Sequence, residues 1–384
     1  MVAQAVVRKT FKYKLKPTPE QDRALEAVLG HCHALYNTAL EQRKTWWARG
    51  QGKSATYSQQ KAELPDLKAA CPDYAEINAQ VLQDVLLRLD RTFQAFFRRV
   101  AAGETPGYPR FQGRGRYNSF TYPQVGEHGG ARLDNGFLVL SKVGRIAVRW
   151  SRSIEGTPKT VTISREADGW YACFSCANVP AQPLPPTGRE TGIDVGLKVF
   201  LIAADGESVE PPRHYRKAEQ RLATAQRRVS RRKTGSHRRR KASALLKRKH
   251  QQVQRQRRDF HHKTALALLR QFDTIYLEDL RVANLVRNRH LAKSSSDAGW
   301  AQFRAILDAK AACAGRHVIA VPPAYTSQDC SGCWERVLKS LSVRTHVCPS
   351  CGLVIDRDEN AAVNILRAGQ ARQALTQPVG AYVA

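Results

Sequence analysis

Two cysteine pairs, Cys330-x-x-Cys333 and Cys348-x-x-Cys351, stand 14 residues apart, and the second runs directly into Asp356, Asp358, Glu359 and Asn360. Paired knuckles at that spacing suit one tetrahedral zinc ion, and a closed four-thiolate shell leaves no position open for a substrate. A zinc ion here is read as structural. His346 is a spare nearby and needs no role. Carboxylates suit harder cations such as magnesium. The stretch CPSCGLVIDRDENAA (348–362) therefore joins two metal chemistries within a few residues.

Other acids sit in apolar surroundings. Asp194 lies in GIDVGLKVFLIAA, and Glu278 ends the apolar run FDTIYLED beside Asp279. A buried ionised carboxylate is costly unless it is paired or holds a metal. Strand alternation puts Glu278 on the face of Thr274 and Tyr276, and Asp279 on the other. Three carboxylates on separate elements could hold two magnesium ions about 3.5–4 Å apart for in-line phosphodiester cleavage. Each acid also has a structural reading: Asp194 precedes a glycine-containing turn, and Asp358 could cap a helix beginning near Glu359. The residues alone leave that choice open.

The elements that would position these acids follow from periodicity. Residues 6–16 alternate, with Phe11, Tyr13 and Leu15 opposite Lys12, Lys14 and Lys16, which predicts a half-buried strand. Thr18, Pro19 and Gln21 then read as N-cap, first helical position and reciprocal cap. Leu25, Val28, Leu29, Cys32, Leu35, Tyr36 and Leu40 recur at helical spacing, and further helices are predicted near 54–70 and 76–102. Gly103–Pro109 breaks the pattern. Strand-like alternation returns in GFLVLSKVGRIAVRW, KTVTISRE and GWYACFSCANV, which predicts a small β-barrel completed by the N-terminal strand. Cys173 and Cys176 lie three apart in one of these strands, so they face opposite ways and make a poor metal clamp. The linker PAQPLPPTG (180–188) leads to a strand (TGIDVGLKVFLIAADG), long basic helices, a strand (FDTIYLEDL), a helix from about Gly299 and a strand (HVIAVPP), the order of an α/β domain. Periodicity lapses from about Gly369.

With 62 Lys+Arg against 33 Asp+Glu the formal charge is +29, and residues 213–263 hold 20 basic and 2 acidic residues. Such a stretch favours a polyanion, because neutralised phosphates release counterions. A solvated helical face would mix both signs. Nucleic acid is thus the expected partner, ahead of an anionic membrane surface, for which the segment lacks a wide apolar face. No signal-like or membrane-spanning run is evident, and nine cysteines without a secretory signal argue against a disulfide framework. A soluble, cytoplasmic, nucleoid-associated bacterial protein is expected.

An ordered set of motifs resembles the TnpB family of insertion-sequence-encoded, RNA-guided nucleases related to compact type V CRISPR effectors. The motifs are GIDVGLK (192–198), YLEDL (276–280), SDAGWAQF (296–303), TSQDCSGC (326–333) and CPSCGLVIDRDENAAVNI (348–365). YKLKPTPEQ (13–21), GYPRFQ (107–112) and RRDFHHKTA (257–265) extend the resemblance over nearly the whole chain. It implies a multidomain α/β protein. A β-barrel wedge domain (1–16 plus 105–183) would carry an inserted helical recognition domain (17–104). A RuvC-type ribonuclease H-like domain (186–323 plus 352–368) would enclose a zinc ribbon (324–351) and lead to a flexible tail (369–384). By motif position it makes Asp194, Glu278 and Asp358 the catalytic, magnesium-binding acids, with Asp356 the alternative to Asp358. Zinc falls to Cys330, Cys333, Cys348 and Cys351.

The implied activity is Mg2+-dependent cleavage of double-stranded DNA paired to a guide RNA from the transposon end, beside a short flanking motif, by a monomer with RNA. Two departures stand out: Trp334 follows Cys333 where glycine is usual, and Ala309 replaces an aromatic. A catalytically silent guided binder or transposition accessory factor is the main alternative, though it has no need of three such acids. A guide-independent resolvase would leave the helical domain unexplained, and a DNA-joining transposase does not fit the motif order.

Overall fold

The computed structural model describes residues 5–50, 54–113, 115–280, 282–340 and 343–376, less the side chains of residues 283 and 376. Two compact units divide the chain, Val6–Pro180 and the remainder. Among the described residues, no helix is long and apolar enough to cross a membrane.

The first unit opens with β1 (Val6–Lys16), whose Phe11, Tyr13 and Leu15 are buried, as their alternation predicts. Helix α1 (Pro19–Arg49) follows behind a complete capping box: the Thr18 side chain accepts from the Gln21 N–H, and the Gln21 side chain accepts from the Thr18 N–H. Short helices α2 (Tyr57–Ala62), α3 (Leu64–Ala70) and α4 (Pro72–Ala75) lead to α5 (Ala79–Ala101). Strands β2 (Ser119–Tyr122), β3 (Ala131–Asp134), β4 (Phe137–Leu140), β5 (Gly144–Arg149), β6 (Thr157–Glu166) and β7 (Gly169–Pro180) complete the unit. They join β1 in an antiparallel sheet ordered β2-β6-β7-β1-β5-β4-β3. The expected small β-barrel is seen in part, as a half-barrel sheet with β2 and β3 at its ends and an isolated bridge between Val125 and Ala131. The apolar stripes of α1 and α5 share one core with the inward residues of this sheet. Cys173 and Cys176 of β7 differ in exposure, as alternation requires.

The second unit contains β8 (Glu190–Asp194), β9 (Leu201–Ala203), β10 (Ser208–Val209), α6 (His214–Ser230), α7 (His237–Gln271) and β11 (Thr274–Glu278). Next come α8 (Val282–Leu285), α9 (Ala292–Ala298), α10 (Trp300–Ala314) and β12 (His317–Val321). Last are β13 (Thr345–Val347), β14 (Val354–Asp356) and α11 (Arg357–Thr376). The single strand expected over 191–206 is in fact the β8–β9 hairpin, broken by the turn through Gly196. Helix α11 runs through Gly369, so the tail expected from that residue is helical to Thr376, and the rest lies outside the described residues.

The sheet is ordered β10-β9-β8-β11-β12, with β8, β11 and β12 parallel and β9 and β10 antiparallel. Alternation sorts its two faces. Ile193, Ile275 and Leu277 join the core under α7 and α10, where Leu269, Phe303 and Leu307 are buried. Tyr276 and Val321 pack on the other side with Ile365 of α11. Gly192 faces α11 at close range: an added Cβ would lie 2.1 Å from the Ala362 carbonyl oxygen. Gly192→Ala is expected to destabilise this unit by about 2 kcal/mol through overpacking. Chemical denaturation checks it, and an unchanged midpoint would show that α11 yields freely.

Candidate active site and metal centre

Period-two geometry decides which way the acids face. Asp194 shares the face of Gly192, and Glu278 shares the face of Tyr276, so both carboxylates look toward α11. They end adjacent parallel strands, where an open α/β sheet offers its binding crevice. The first turn of α11 arrives at the same end with Asp358, which is 7% exposed. The two aspartates of DRD do different work. Asp356 is exposed, and its Oδ1 accepts from the Asp358 N–H (2.8 Å) and the Glu359 N–H (3.4 Å), so it supplies the helix cap. Asp358 is thereby free to project inward.

Asp194 feels the charge of the other two carboxylates. Burial, then the charges of Glu278 and Asp358, push the Asp194 carboxyl up to about 7, against Arg357 and the Val195 N–H. Burial also raises Glu278, opposed by the hydroxyl of Thr326. Asp358 is held by Arg344 and, at 3.3 Å, by Arg357. Asp194 is half-buried beside two other acids, a charge that a divalent cation would relieve, and carboxylate oxygens suit magnesium; among the described residues only the four cysteines bring their ligand atoms within 4.8 Å of one another.

Beside this trio the four knuckle sulfurs lie within 4.8 Å of one another, with Cys330–Cys351 at 3.6 Å and Cys333–Cys348 at 3.5 Å. That donor set fits zinc. The Cys351 N–H, with that of Ser350, lowers the Cys348 thiol to about 7 against burial. Both knuckles close alike, Trp334 N–H to the Cys330 oxygen and Gly352 N–H to the Cys348 oxygen, each 3.0 Å. Each closing residue is left-handed, Gly352 at φ 75° and Trp334 at φ 70°. Tryptophan pays for the missing glycine with backbone strain, and Arg367 lies 5.4 Å over its ring.

Several side chains to which the sequence reading gave no role fasten the ribbon to the acids. Asn360 accepts from the Ser331 N–H (2.9 Å) and donates to the Asp329 oxygen (2.8 Å). One turn later Asn364 donates to the Thr326 and Asp329 oxygens at 2.9 and 2.6 Å. Thr326 reaches Glu278, and Arg344 reaches Asp358. The signal available beforehand was the i, i+4 spacing of the two asparagines on the helix that bears Asp358. The basic stretch forms α6 and α7, whose buried seam of Leu222, Ala225, Val229, Ala242 and Val253 leaves Arg227, Arg228, Arg231 and Arg238 exposed.

Comparison with known proteins accords with this arrangement. A family model described as "Probable transposase" matches residues 172–289, "Cas12f1-like, TNB domain" matches 300–365 and "Helix-turn-helix domain" matches 1–52. Among this chain's described residues that last span is β1 followed by α1. A Streptomyces pristinaespiralis protein named "Putative RNA-guided DNA endonuclease" is 36% identical, covering 96% of this chain and 91% of its own. InsQ of Escherichia coli K12, named in the same words, is 31% identical over 94% of this chain and 92% of its own. The solved mini-RNA-guided endonuclease CRISPR-Cas_phi3 shares the fold, with a TM-score of 0.54 at 9% identity, covering 95% of this chain and 92% of that one. Identity of this extent, on top of the ordered motifs, places the chain in the TnpB family.

Proposed function

We propose that the protein is an RNA-guided, magnesium-dependent endonuclease that cuts double-stranded DNA at one RuvC-type site. The observation that carries this reading is the placement of Asp194 and Glu278 at the ends of adjacent parallel strands on the face that α11 covers, with Asp358 in the first turn of that helix. Asp194, Glu278 and Asp358 would hold magnesium, which when bound supplies Lewis-acid charge and an activated water for phosphodiester hydrolysis. Thr326 orients Glu278, and Arg344 and Arg357 fix Asp358 and offset its charge. Cys330, Cys333, Cys348 and Cys351 would hold a structural zinc. The exposed cations of α6 and α7 suit RNA–DNA backbones without reading sequence, which base pairing to a guide from the transposon end would supply. A flanking motif would be read by the unit Val6–Pro180, as wedge and recognition domains. The names of the relatives support the same activity.

The test is to express the protein with its own downstream DNA, sequence co-purifying RNA, and offer target DNA with randomised flanks and Mg2+. Absence of both bound RNA and cleavage sinks the reading. The two aspartates of DRD give a sharper check. Asp356→Ala is expected to cost about 1 kcal/mol of stability, as a lost helix cap does, and to keep cleavage within a few-fold. Asp358→Ala is expected to abolish cleavage. Equal activity loss in both variants would remove the division of labour.

A further inference from the structure

The turn that carries Asp194 has a second side. Gly196, whose added Cβ would lie 3.9 Å from Asp358 Oδ2, also lines a cavity of about 300 Å3. Leu197, Pro211, Pro212 and Phe260 give this cavity an apolar wall, and Lys198, Arg213, Arg216 and Arg257 give it positive charge. Among the described residues none of those four cations has a carboxylate at ion-pair distance. Its one acid, Asp297, is occupied: its oxygens accept from the Tyr215 N–H (2.9 Å) and the Arg216 N–H (3.4 Å) at the start of α6.

Two lining residues also carry polar atoms that are buried away from the cavity. His261 is 0% exposed, and its Nε2 pairs with the Ala298 carbonyl at 2.8 Å. A carbonyl only accepts, so Nε2 carries the proton and Nδ1 is left as a lone-pair acceptor without a partner. Arg257 Nε is likewise buried without one, although Nη1 donates to the Ser296 oxygen at 2.7 Å. Both atoms are closed to solvent, so the case for a ligand rests on the wall and the cations. An apolar wall facing four cations without carboxylate partners matches a nucleotide, ring or sugar on the wall and phosphate on the cations; Arg216 also donates through Nη2 to Ser294 Oγ at 2.7 Å.

We propose that this cavity receives the nucleotide adjoining the scissile phosphate in the DNA strand being cut, its phosphate set against Lys198 and Arg216. The Gly196 turn favours the cut strand over the guide, because it lines the cavity and follows Asp194 by two residues. The inference rests on the nuclease reading and deepens it. The pocket positions the strand, so Lys198 and Arg216 are positioning residues.

The experiment uses the full RNA-loaded protein and single-stranded DNA matching the target, with one backbone phosphate at a time replaced by a neutral methylphosphonate. Binding is read by anisotropy in Ca2+. One replacement near the cut is expected to weaken wild-type binding about tenfold, the scale of one charge-assisted contact. The same replacement should change binding by less than about twofold in K198A/R216A, because the contact is already gone. K198R/R216K, which keeps the charge, should restore the wild-type pattern. Equal penalties in wild type and double variant overturn the proposal. So does a pattern that follows neutral linkages in the RNA, which would give the cavity to the guide. Cleavage in Mg2+, run in parallel, separates the two claims. The binding pattern without cutting overturns the nuclease reading alone, and cutting without the pattern overturns the cavity assignment alone.

Discussion

Asp194→Asn should abolish DNA cleavage while making the metal-free protein more stable. The loss follows from geometry: Asp194 and Glu278 face α11, which carries Asp358, and the amide cannot replace the charge of Asp194. Metal-assisted charge stabilisation is worth several kcal/mol and each 1.36 kcal/mol is tenfold, so a fall of at least about 10³-fold is expected, with RNA binding retained. The stability gain follows from the same crowding. The folded carboxyl titrates near 7 against an ordinary value of 3.8, so the native state binds the proton more tightly than the unfolded state. Stability is then fully present below about pH 4 and is lost as pH rises toward 7. The amide removes that slope, so at pH 8 without divalent ions the variant should be more stable by about 2–4 kcal/mol, the gain vanishing toward pH 4. Added Mg2+ should reverse the order, since only wild type gains from binding. Thermal unfolding at both pH values, with and without Mg2+, checks this. A variant less stable than wild type at pH 8 in chelator would mean that Asp194 is already paired and is not a metal site.

How legible this was differed by element. The strand–helix entry was written locally: alternation through Phe11, Tyr13 and Leu15 and the Thr18–Gln21 box each depend on residues within one turn. Strand parity also aimed Glu278 correctly relative to Tyr276, because period two needs no tertiary information. The choice between Asp356 and Asp358 needed more than periodicity. Both lie at the start of the same helix, and only its beginning at Arg357 instead of near Glu359 makes Asp356 the cap. The β8–β9 break was hidden because Val199–Ala204 is uniformly apolar, and a buried hairpin leaves no alternation to read. Sheet closure is a long-range property of β2 and β3, which no local pattern states. The helical run through Gly369 was masked by its glycine, which is there because the Tyr276 ring leaves no room: an added Cβ would stand 2.0 Å from Cδ1. The contacts of Arg344 and Thr326 were invisible for the same reason: each crosses from the cysteine region to an acid on another element.

Cys348→Ser gives the second large expected effect, because the ribbon and the acids are mechanically one piece. Four sulfurs within 4.8 Å repel as thiolates and need a cation among them. With zinc absent, the loop carrying Ser331, Asp329 and Thr326 loses its fixed shape, and with it the partners of Asn360 and Asn364. Thr326 then no longer orients Glu278, and Arg344, which precedes Cys348 by four residues, no longer holds Asp358. Outer partners of metal-binding groups are each worth about 10–100-fold, and this variant removes two, so cleavage should fall by about 10²–10⁴-fold. Zinc content should drop from one per chain toward none, and excess Mg2+ should not restore activity, since the defect lies in the support of the carboxylates. The unit Val6–Pro180, with its own core, should keep its unfolding transition while the other unit melts earlier. Metal analysis, calorimetry and cleavage on the same preparation decide it. A zinc-free variant cutting at the wild-type rate would show that the ribbon is dispensable to the site it adjoins. The spacer GLVIDR argues otherwise: it leaves no slack between a closing thiolate and the helix that presents Asp358.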